Sequence, residues 1–505
     1  MKKVKTALIS VFYKDGLENL LPILKQHNIT IYTTGGTQQF IEDLGYHVVA
    51  VETLTDYPSI LGGRVKTLHP KVFGGILARR ENQSDIEELQ QYQIPEIDLV
   101  IVDLYPFEET VATTNDEATI IEKIDIGGIS LIRAAAKNYK DTVIVSQKNQ
   151  YQTIASLLET QEASTSLEQR KLFAKEAFAL SSHYDIKIYD YLLCDETANS
   201  LKISETEAQS LRYGENPHQK ASYFGNLNED FEVLSGKELS YNNIVDIDAA
   251  VRLIQEFTQP TFVVVKHTNA CGVASDDNLL EAWNKALAGD PVSAFGGILA
   301  CNGTVDVAIA NAMNGLFFEV LIAKDFTSEA LDILTKKKNR RILKQKNLLQ
   351  NKLQIKSILN GFIIQNYDDF TDTEQNLKVV SNEQPTTKQI NDLLFAAKIV
   401  KHLKSNTIVL AKNNQLLAMG CGQTSRVDAL QQAIAKAKQF NFDLNGAVMA
   451  SDAFFPFPDC VEIAYNAGIK AVLHPGGSIK DQDSIDFCNQ HQMAMVLTGI
   501  RHFKH

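Results

Sequence analysis

The chain has 505 residues, of which 44% are hydrophobic and 22% charged, and its net charge of −12 argues against nucleic-acid binding through a basic face. Apolar runs stay short of the roughly 18 residues that a membrane helix needs, and only a short strand-like run follows the basic residues 1–5, so we expect neither a membrane span nor a signal peptide. Six scattered cysteines without a CxxC pair predict reduced thiols in a cytoplasmic protein of about three domains.

Strand-like and helix-like segments alternate along the first part of the chain. Apolar runs predict strands over residues 6–12, 29–33, 47–51 and 98–102, and helical periodicity predicts helices over 15–26, 34–44 and 173–193. This alternation favours a parallel α/β sheet flanked by helices. The polar, weakly periodic stretch over 196–207 predicts a domain boundary near residue 200.

Two stretches of the second part resemble each other. A strand over 261–265 precedes a polar turn and a helix near 279–287, and a strand over 407–411 precedes a second polar turn and a helix near 429–437. Each stretch then continues into a segment of small residues and phenylalanine. The pattern predicts two related lobes, with chance similarity between two α/β units as the alternative.

Three segments of the first part carry candidate chemistry. The sequence TGGT over 34–37 lies where a strand passes into a helix, so its amides and hydroxyls could hold a phosphate, although a plain tight turn explains it equally well. The segment GGRVKTLHP over 62–70 is a compact loop rich in hydrogen-bond donors. Asp125 near a helix start and Lys137 on the same helix either serve one cleft or are ordinary surface charges.

The segments GGRVKTLHP, DIGG and RAAAKN, in this order, resemble the inosine-monophosphate (IMP) cyclohydrolase family, whose domain has the methylglyoxal-synthase-like parallel α/β fold. The resemblance implies four catalytic residues, namely Lys66, Tyr105, Asp125 and Lys137. It also implies a set of substrate-binding residues, namely Lys14, Thr34, Gly35, Gly36, Thr37, Arg64, Thr67 and Gly127. In this scheme Lys66 stabilises the oxyanion of ring closure, and Asp125 and Lys137 move protons.

Two positions depart from this family's pattern. Phe12 stands where a small hydroxyl residue is frequent, and Asp103 stands where an asparagine is common. We expect neither residue to touch the proton-transfer groups.

The segment VKHTNACG places Lys266 and His267 at the end of a buried-looking strand, where α/β enzymes present catalytic side chains. A lone histidine there is more often structural, but an adjacent lysine favours catalysis. The aromatic run within SDAFFPF is either a platform for a pterin ring or part of the core.

Together with RYGENPHQ, DPVSAFGG, GQTSR and HPGGS, these two segments resemble the aminoimidazole carboxamide ribonucleotide (AICAR) formyltransferase family. The two resemblances cover almost the whole chain. They imply a cyclohydrolase domain over 1–199 and a formyltransferase region over 200–505, built from two cytidine-deaminase-like α/β lobes at roughly 200–375 and 376–505. The PCxxC element of zinc deaminases is absent from the sequence, so we expect no catalytic metal, while a structural monovalent cation stays open.

In the formyltransferase scheme, His267 takes the proton of the attacking amine, Lys266 assists the leaving folate and Asn406 holds the formyl oxygen. The resemblance implies further residues for the nucleotide, namely Arg212, Tyr213, Arg426 and Phe454. It implies others for the 10-formyltetrahydrofolate cosubstrate, namely Asp459, Gly476, Gly477, Ser478 and Arg501. The expected ligands are AICAR, formyl-AICAR (FAICAR), IMP and folate, and the expected assembly is a homodimer with the formyltransferase site at its interface. A ligand-binding regulator and a zinc-dependent deaminase are the alternatives.

Overall fold

The computed structural model describes residues 1–193, 200–350 and 353–505, so Cys194 and part of the predicted boundary segment lie outside the described residues. The chain divides into two compact units, Met1–Thr206 and Glu207–His505. In the described part of the chain, no helix is both long and apolar enough to cross a membrane.

The first unit is built on a five-stranded parallel sheet in the order β4-β3-β2-β5-β6, with a small antiparallel pair formed by β1 and β7. Its strands are β1 (Lys2–Lys3), β2 (Thr6–Ser10), β3 (Thr30–Thr33), β4 (Val49–Ala50), β5 (Leu99–Val102), β6 (Val143–Val145) and β7 (Ser164–Thr165). Its helices are α1 (Leu21–Gln26), α2 (Gly35–Asp43), α3 (Val51–Thr55), α4 (Pro70–Leu77), α5 (Gln83–Gln91), α6 (Phe107–Thr113), α7 (Glu117–Ile121), α8 (Gly127–Lys137), α9 (Tyr151–Thr160) and α10 (Leu167–Leu193). The predicted parallel sheet is confirmed.

The central strands of this sheet are continuous apolar runs because they are buried on both faces. β5 reads LVIV and β6 reads VIV, and every residue in both is buried. Since all five strands are parallel, the loops that follow β2, β3 and β5 open at the same edge of the sheet. Short 3₁₀ helices lie at Leu17–Asn19 after β2, at Leu61–Gly63 between α3 and α4, and at Lys148–Gln150 after β6.

The second unit contains a twelve-stranded mixed sheet and two separate hairpins, β8–β9 and β16–β17. Its strands are β8 (Ala208–Leu211), β9 (Ala221–Phe224), β10 (Phe231–Ser235), β11 (Thr261–Lys266), β12 (Asn269–Ser275), β13 (Ile298–Val305), β14 (Val320–Phe326), β15 (Arg341–Gln345), β16 (Leu353–Ile358), β17 (Gly361–Asn366), β18 (Lys378–Val379), β19 (Ile408–Lys412), β20 (Gln415–Gly420), β21 (Val448–Ser451), β22 (Ala471–His474) and β23 (Ala494–Leu497).

Nine α-helices and one 3₁₀ helix accompany these strands in the described residues of the second unit. The α-helices are α11 (Leu227–Asp230), α12 (Tyr241–Ile254), α13 (Leu279–Gly289), α14 (Val307–Met313), α15 (Ser328–Leu334), α16 (Thr387–His402), α17 (Arg426–Gln439), α18 (Asp459–Asn466) and α19 (Asp481–Gln490), and the 3₁₀ helix is Glu374–Asn376.

The large sheet consists of two halves with the same strand order. The first half runs β10-β15-β14-β13-β11-β12, and the second half, read from the opposite edge, runs β18-β23-β22-β21-β19-β20. Parallel and antiparallel pairings agree at every position, and β12 pairs with β20 where the halves meet. The two related lobes predicted from the sequence therefore share one topology. The sequence predicted that a helix follows each polar turn directly. In the structure a further strand, β12 or β20, lies between the turn and the helix, so this prediction was incomplete.

The C-terminal tail is bound through a buried histidine to the segment that precedes β18. His502 Nδ1 lies 2.6 Å from Asp368 Oδ2, and its Nε2 lies 3.4 Å from Asp372 Oδ2. Burial alone would lower the pKa of His502, but the hydrogen bonds to these carboxylates outweigh burial and raise the pKa to about 9.

We expect His502→Gln to destabilise the protein more at pH 6 than at pH 9.5. A raised histidine pKa contributes stability that is complete below the unfolded pKa of about 6.5 and is lost as the pH rises through about 9. Urea unfolding of both proteins should give a difference on the order of 2 kcal/mol at pH 6 that shrinks at alkaline pH. The exposed His218→Gln is the control, and a difference that does not depend on pH would contradict the expectation.

Candidate active sites

The TGGT segment connects β3 to α2 in the first unit. Thr37 Oγ1 lies 3.1 Å from the amide nitrogen and 3.0 Å from the carbonyl oxygen of Val11, and Thr34 Oγ1 lies 3.2 Å from Ser10 Oγ. Both threonine hydroxyls therefore bind the end of the neighbouring strand β2. Helix α2 begins without a side-chain cap, which leaves its first amides available to an anion.

Lys66 brings a positive charge to this helix start. The tight turn before it needs left-handed backbone at Gly62 and Gly63, with φ of 65° and 92°. A methyl group placed at Gly35 would lie 3.2 Å from Lys66 Nζ, and one placed at Gly127 would lie 3.4 Å from Thr67 Oγ1. Three predicted segments, TGGT, GGRVKTLHP and DIGG, therefore converge on one place.

Asp125 is a buried carboxylate beside Tyr105. Its Oδ1 accepts a 2.6 Å hydrogen bond from the amide of Gly128, and its own amide donates to Tyr184 Oη at 2.8 Å. Burial raises the pKa of Asp125, and the backbone hydrogen bonds from Gly128 and Tyr105 only partly offset that effect. Burial also raises the pKa of the Tyr105 phenol, with the nearby charges of Asp125 and Asp103 adding to it. A carboxylate with this shift is suited to proton transfer.

The expectation that Phe12 and Asp103 touch neither proton-transfer group, Asp125 or Lys137, stays a prediction, but the ring of Phe12 packs against Tyr105. Its centroid lies 5.6 Å from that of Tyr105 in an edge-on contact. Asp103 accepts hydrogen bonds from the amides of Phe12 and Tyr13, the latter at 2.9 Å. Its charge also helps to raise the pKa of Asp125.

Three residues predicted for this site are exposed or bonded to neighbouring groups of the protein. Lys137 is exposed at the far end of α8, about 15 Å along the helix axis from the helix start near Asp125. Arg64 is two-thirds exposed and pairs with Glu122. Lys14 Nζ donates to carbonyl oxygens of its own loop, at Val11 and at Phe12, the latter at 2.9 Å.

In the second unit, Lys266 and His267 begin the tight turn between β11 and β12. Lys266 Nζ donates to the carbonyl oxygen of Phe295 at 2.7 Å. Asn269 Nδ2 donates to the carbonyl oxygen of His267 at 2.9 Å, while its Oδ1 accepts from the amide of Lys404 at 3.4 Å. Asn269 therefore connects the turn that carries His267 in the first lobe to a loop of the second lobe.

Arg426 and Asn406 form a closed network in the second lobe. The buried guanidinium of Arg426 donates to Asn406 Oδ1 at 3.0 Å and to Asp452 Oδ1 at 2.8 Å. Its Nε donates to Ser451 Oγ, and Asn406 Nδ2 donates to the carbonyl oxygens of Gln423 and Thr424. Because both Nδ2 hydrogens are used, binding of a formyl oxygen by Asn406 requires one of these bonds to be exchanged.

The other predicted residues lie at loops and helix starts of the second unit. The carbonyl oxygen of the half-exposed Phe454 accepts from Arg426, and Asp459 begins α18. The amides of Gly477 and Ser478 donate to Asp481 Oδ2 at 2.7 and 3.1 Å, and Gly476 precedes them with φ of 72°. Two exposed arginines lie over neighbouring rings, namely Arg212 over Tyr213 at 5.4 Å and Arg501 over Phe503 at 4.4 Å.

Sequence reasoning missed the carboxylates that hold these loops. Asp246 accepts hydrogen bonds from the turn that carries His267, and Asp481 accepts those of the glycine loop. Asp246 lies in an ordinary amphipathic helix with no local motif. Its one sequence signal is a repeat, since Asp246 precedes Lys266 by 20 positions and Asp392 precedes Lys412 by 20 positions.

Comparisons with known proteins agree with this arrangement. A family model described as the AICARFT/IMPCHase bienzyme matches residues 135–436, and an MGS-like domain matches residues 16–130. The latter match confirms the methylglyoxal-synthase-like prediction for the first unit, while the deaminase-like character of the two lobes stays a prediction. A solved structure titled "Crystal structure of ForH" is 34% identical over 37% of this chain and 99% of that chain, with a TM-score of 0.34 that carries no argument about the fold.

Several curated relatives named bifunctional purine biosynthesis protein PurH match along their full length. The protein of Bacteroides thetaiotaomicron is 59% identical over 100% of this chain and 99% of its own length. Those of Acetivibrio thermocellus and Thermoanaerobacter sp. (strain X514) are 45% and 46% identical over 99% of this chain and 100% of their own lengths. With both family models matched and relatives aligned from end to end, this chain belongs to the AICARFT/IMPCHase bienzyme family.

Proposed function

We propose that this chain catalyses the last two steps of IMP biosynthesis. The first step transfers a formyl group from 10-formyltetrahydrofolate to the 5-amino group of AICAR, which gives FAICAR and tetrahydrofolate. The second step closes the ring of FAICAR with loss of water, which gives IMP. The observation that carries this function is the 59% identity to a bifunctional purine biosynthesis protein over 504 residues.

The two activities divide between the two parts of the chain. We assign cyclohydrolase activity to residues 1–199 and formyl transfer to 200–505, with deaminase-like lobes at roughly 200–375 and 376–505. Support comes from the two compact units and from the repeated strand order of the large sheet. A cytoplasmic location is part of the proposal and fits a reaction on small phosphorylated and folate substrates.

Ring closure follows from the groups around Lys66 and Asp125. The carboxamide nitrogen of FAICAR attacks the formyl carbon, Asp125 takes the nitrogen's proton, and the Lys66 ammonium stabilises the oxygen that becomes negative. Tyr105 donates a hydrogen bond in the same site. Asp125 returns its proton to the oxygen, which leaves as water while the former formamide nitrogen loses its N–H proton and forms the ring C=N bond. The residues we assign to the nucleotide are Lys14, Thr34, Gly35, Gly36, Thr37, Arg64, Thr67 and Gly127. Lys137 lies at the far end of α8, about 15 Å along the helix axis from its start, and we assign it to a proton step that reaches the substrate rather than Asp125.

Formyl transfer follows from the turn at the end of β11. The 5-amino nitrogen attacks the formyl carbon while His267 takes its proton, and N10 of the folate leaves with a proton from Lys266. Asn406 holds the formyl oxygen after one of its hydrogen bonds is exchanged. The nucleotide is assigned to Arg212, Tyr213, Arg426 and Phe454, and the folate to Asp459, Gly476, Gly477, Ser478 and Arg501. The buried Arg426, which makes four side-chain hydrogen bonds, acts by positioning Asn406 as well.

The test is a coupled assay of purified protein with AICAR and 10-formyltetrahydrofolate. Appearance of tetrahydrofolate in the absorbance trace and of IMP by chromatography supports both activities. Tetrahydrofolate without IMP would refute the cyclohydrolase assignment, and neither product would favour the ligand-binding regulator.

No catalytic metal enters this proposal, because the sequence lacks the zinc-ligand element of deaminases. Two buried carboxylate oxygens that have no hydrogen-bond partner in the described part of the chain, Asp452 Oδ2 and Asp481 Oδ1, are candidate ligands for a structural monovalent cation. Thermal unfolding in potassium chloride against tetramethylammonium chloride tests it, since only the former would stabilise an occupied site.

We also propose that the enzyme is a homodimer with the formyltransferase site at its interface. Support comes from the hairpin β16–β17, every residue of which is exposed. It carries seven large apolar side chains, namely Leu353, Ile355, Ile358, Leu359, Phe362, Ile363 and Ile364. An apolar hairpin of this kind favours a permanent partner such as a second copy of the chain.

We expect Phe362→Asp to shift the protein from the mass of two chains to that of one, because a carboxylate would have to be buried in an apolar contact. Light scattering after size-exclusion chromatography measures the change. Phe224→Asp, at another exposed phenylalanine, is the control and should keep the larger mass. A wild-type protein with the mass of one chain would refute the dimer.

A further inference from the structure

The turn that carries His267 is held by a carboxylate from a different element. Asp246 of α12 accepts hydrogen bonds from the amides of His267, at 3.2 Å, and of Thr268, at 2.7 Å. Both turn residues have positive φ, 53° and 63°. This left-handed conformation is unfavourable for residues other than glycine, and most of all for a β-branched residue such as Thr268.

The second lobe contains the same device at the matching turn between β19 and β20. Asp392 of α16 accepts hydrogen bonds from the amides of Asn413, at 3.0 Å, and of Asn414, at 2.7 Å. These two asparagines also have positive φ, 57° and 52°. The two aspartates therefore occupy equivalent places in the two lobes.

The lysines that precede the two turns are equivalent as well. Lys266 Nζ donates to the carbonyl oxygen of Phe295 at 2.7 Å, and Lys412 Nζ donates to that of Asn445 at 2.6 Å. Each acceptor lies three residues before the next strand, β13 or β21. The lobes thus share the carboxylate and the lysine and differ in the turn residues themselves.

This difference makes the first turn depend more strongly on its carboxylate. Asparagine adopts the left-handed conformation readily, so Asn413 and Asn414 favour their turn without help. Thr268 opposes the conformation in which it is held. Loss of the Asp246 contacts would therefore relax the first turn and redirect the bond from Cα to Cβ of His267.

We propose that Asp246 is a positioning residue for formyl transfer, which sets the direction of the His267 imidazole by fixing the backbone of its turn. The inference rests on the proposed function and adds to it a residue that contacts neither substrate nor reacting atoms. Asp392 performs the same structural task for a turn that lacks a histidine, and it is therefore the matched control.

The experiment compares Asp246→Asn and Asp392→Asn in the full-length chain. Asparagine keeps the size of the side chain but turns an amino group towards one of the two backbone amides. We expect D246N to lower kcat for formyl transfer by on the order of 10²-fold with little change in KM for AICAR, because the base is displaced while binding groups stay. Ring closure of added FAICAR should stay unchanged, and D392N should keep kcat within about twofold.

A second substitution separates positioning from general stability. Thr268→Gly accepts positive φ without strain, so D246N with T268G should recover kcat relative to D246N alone. Should D246N fail to fold, Asp246→Glu carries the same comparison, because its carboxylate is displaced by one methylene.

Equal losses of kcat in D246N and D392N, or wild-type kcat in D246N or D246E, would overturn the inference. Wild-type kcat in these variants leaves the proposed function intact. The absence of formyl transfer in the unaltered chain refutes the proposed function itself, so the two failures are distinguishable.

Discussion

His267→Asn should lower the rate of formyl transfer by about 10³-fold, because the amine loses the group that takes its proton. The turn itself should survive, since Asn413 occupies the equivalent position in the second lobe with φ of 57°. Initial rates of tetrahydrofolate formation measure the loss, and ring closure of added FAICAR should proceed at the wild-type rate.

The matched control is Asn413→His, which places an imidazole on the equivalent turn of the second lobe. It should leave formyl transfer unchanged, because the proposed reacting groups Lys266 and His267 stay in place on the turn of the first lobe. If His267→Asn kept more than about a tenth of the wild-type rate, general-base catalysis by His267 would be wrong.

The two lobes contribute unequally to the site in this proposal. The first lobe supplies Lys266 and His267, and the second supplies Asn406 through the network of Arg426 and Asp452. Asn269 connects them, because it binds His267 on one side and Lys404 on the other. Repetition of one topology thus gives two equivalent turns, of which one keeps a histidine.

Strands that are buried on both faces were predictable from the sequence because they read as apolar runs. The predicted strands over 6–12, 29–33 and 98–102 agree with β2, β3 and β5 to within two residues. The hairpin strands β12 and β20 were not predicted. The turn before β12 lacks the Asn-Gly or Asp-Gly sequence that indicates a tight hairpin, since a distant aspartate stabilises it instead.

The candidate site was predictable only where it is contiguous in sequence. The segments TGGT, GGRVKTLHP and DIGG each carry their own composition signal, and they meet around Lys66. Lys137 and the helix start near Asp125 are separated by the length of α8. The sequence predicts that one helix follows Asp125 and contains Lys137, but it does not show which end of that helix faces the site. The burial of Arg426 depends on Asp452, a partner 26 positions away that no local pattern indicates.

Asp125→Asn should lower the rate of ring closure by about 10³-fold and leave formyl transfer unchanged, because the carboxylate that takes the proton is lost while the other site is untouched. The same change should stabilise the protein at pH 8. Burial raises the pKa of Asp125, so its ionised form opposes folding at pH values above the ordinary carboxyl range. Asparagine carries no charge and can still accept the hydrogen bond from the Gly128 amide. Thermal unfolding of both proteins at pH 8 and pH 4 measures the gain, which should shrink at the lower pH.

Asp116→Asn is the control, for which we expect stability at pH 8 to change in the opposite direction. Asp116 is an exposed carboxylate that caps α7, and its hydrogen bonds from Thr119 lower its pKa. The stability that it contributes is present above the ordinary carboxyl pKa and is lost as the pH falls, so D116N should unfold more easily at pH 8 and keep both activities. If D125N were also less stable than the wild type at pH 8, our inference that ionised, buried Asp125 destabilises the folded state would be wrong. If D125N closed the ring at the wild-type rate, Asp125 would not be the base, and Tyr105 would be the next group to replace.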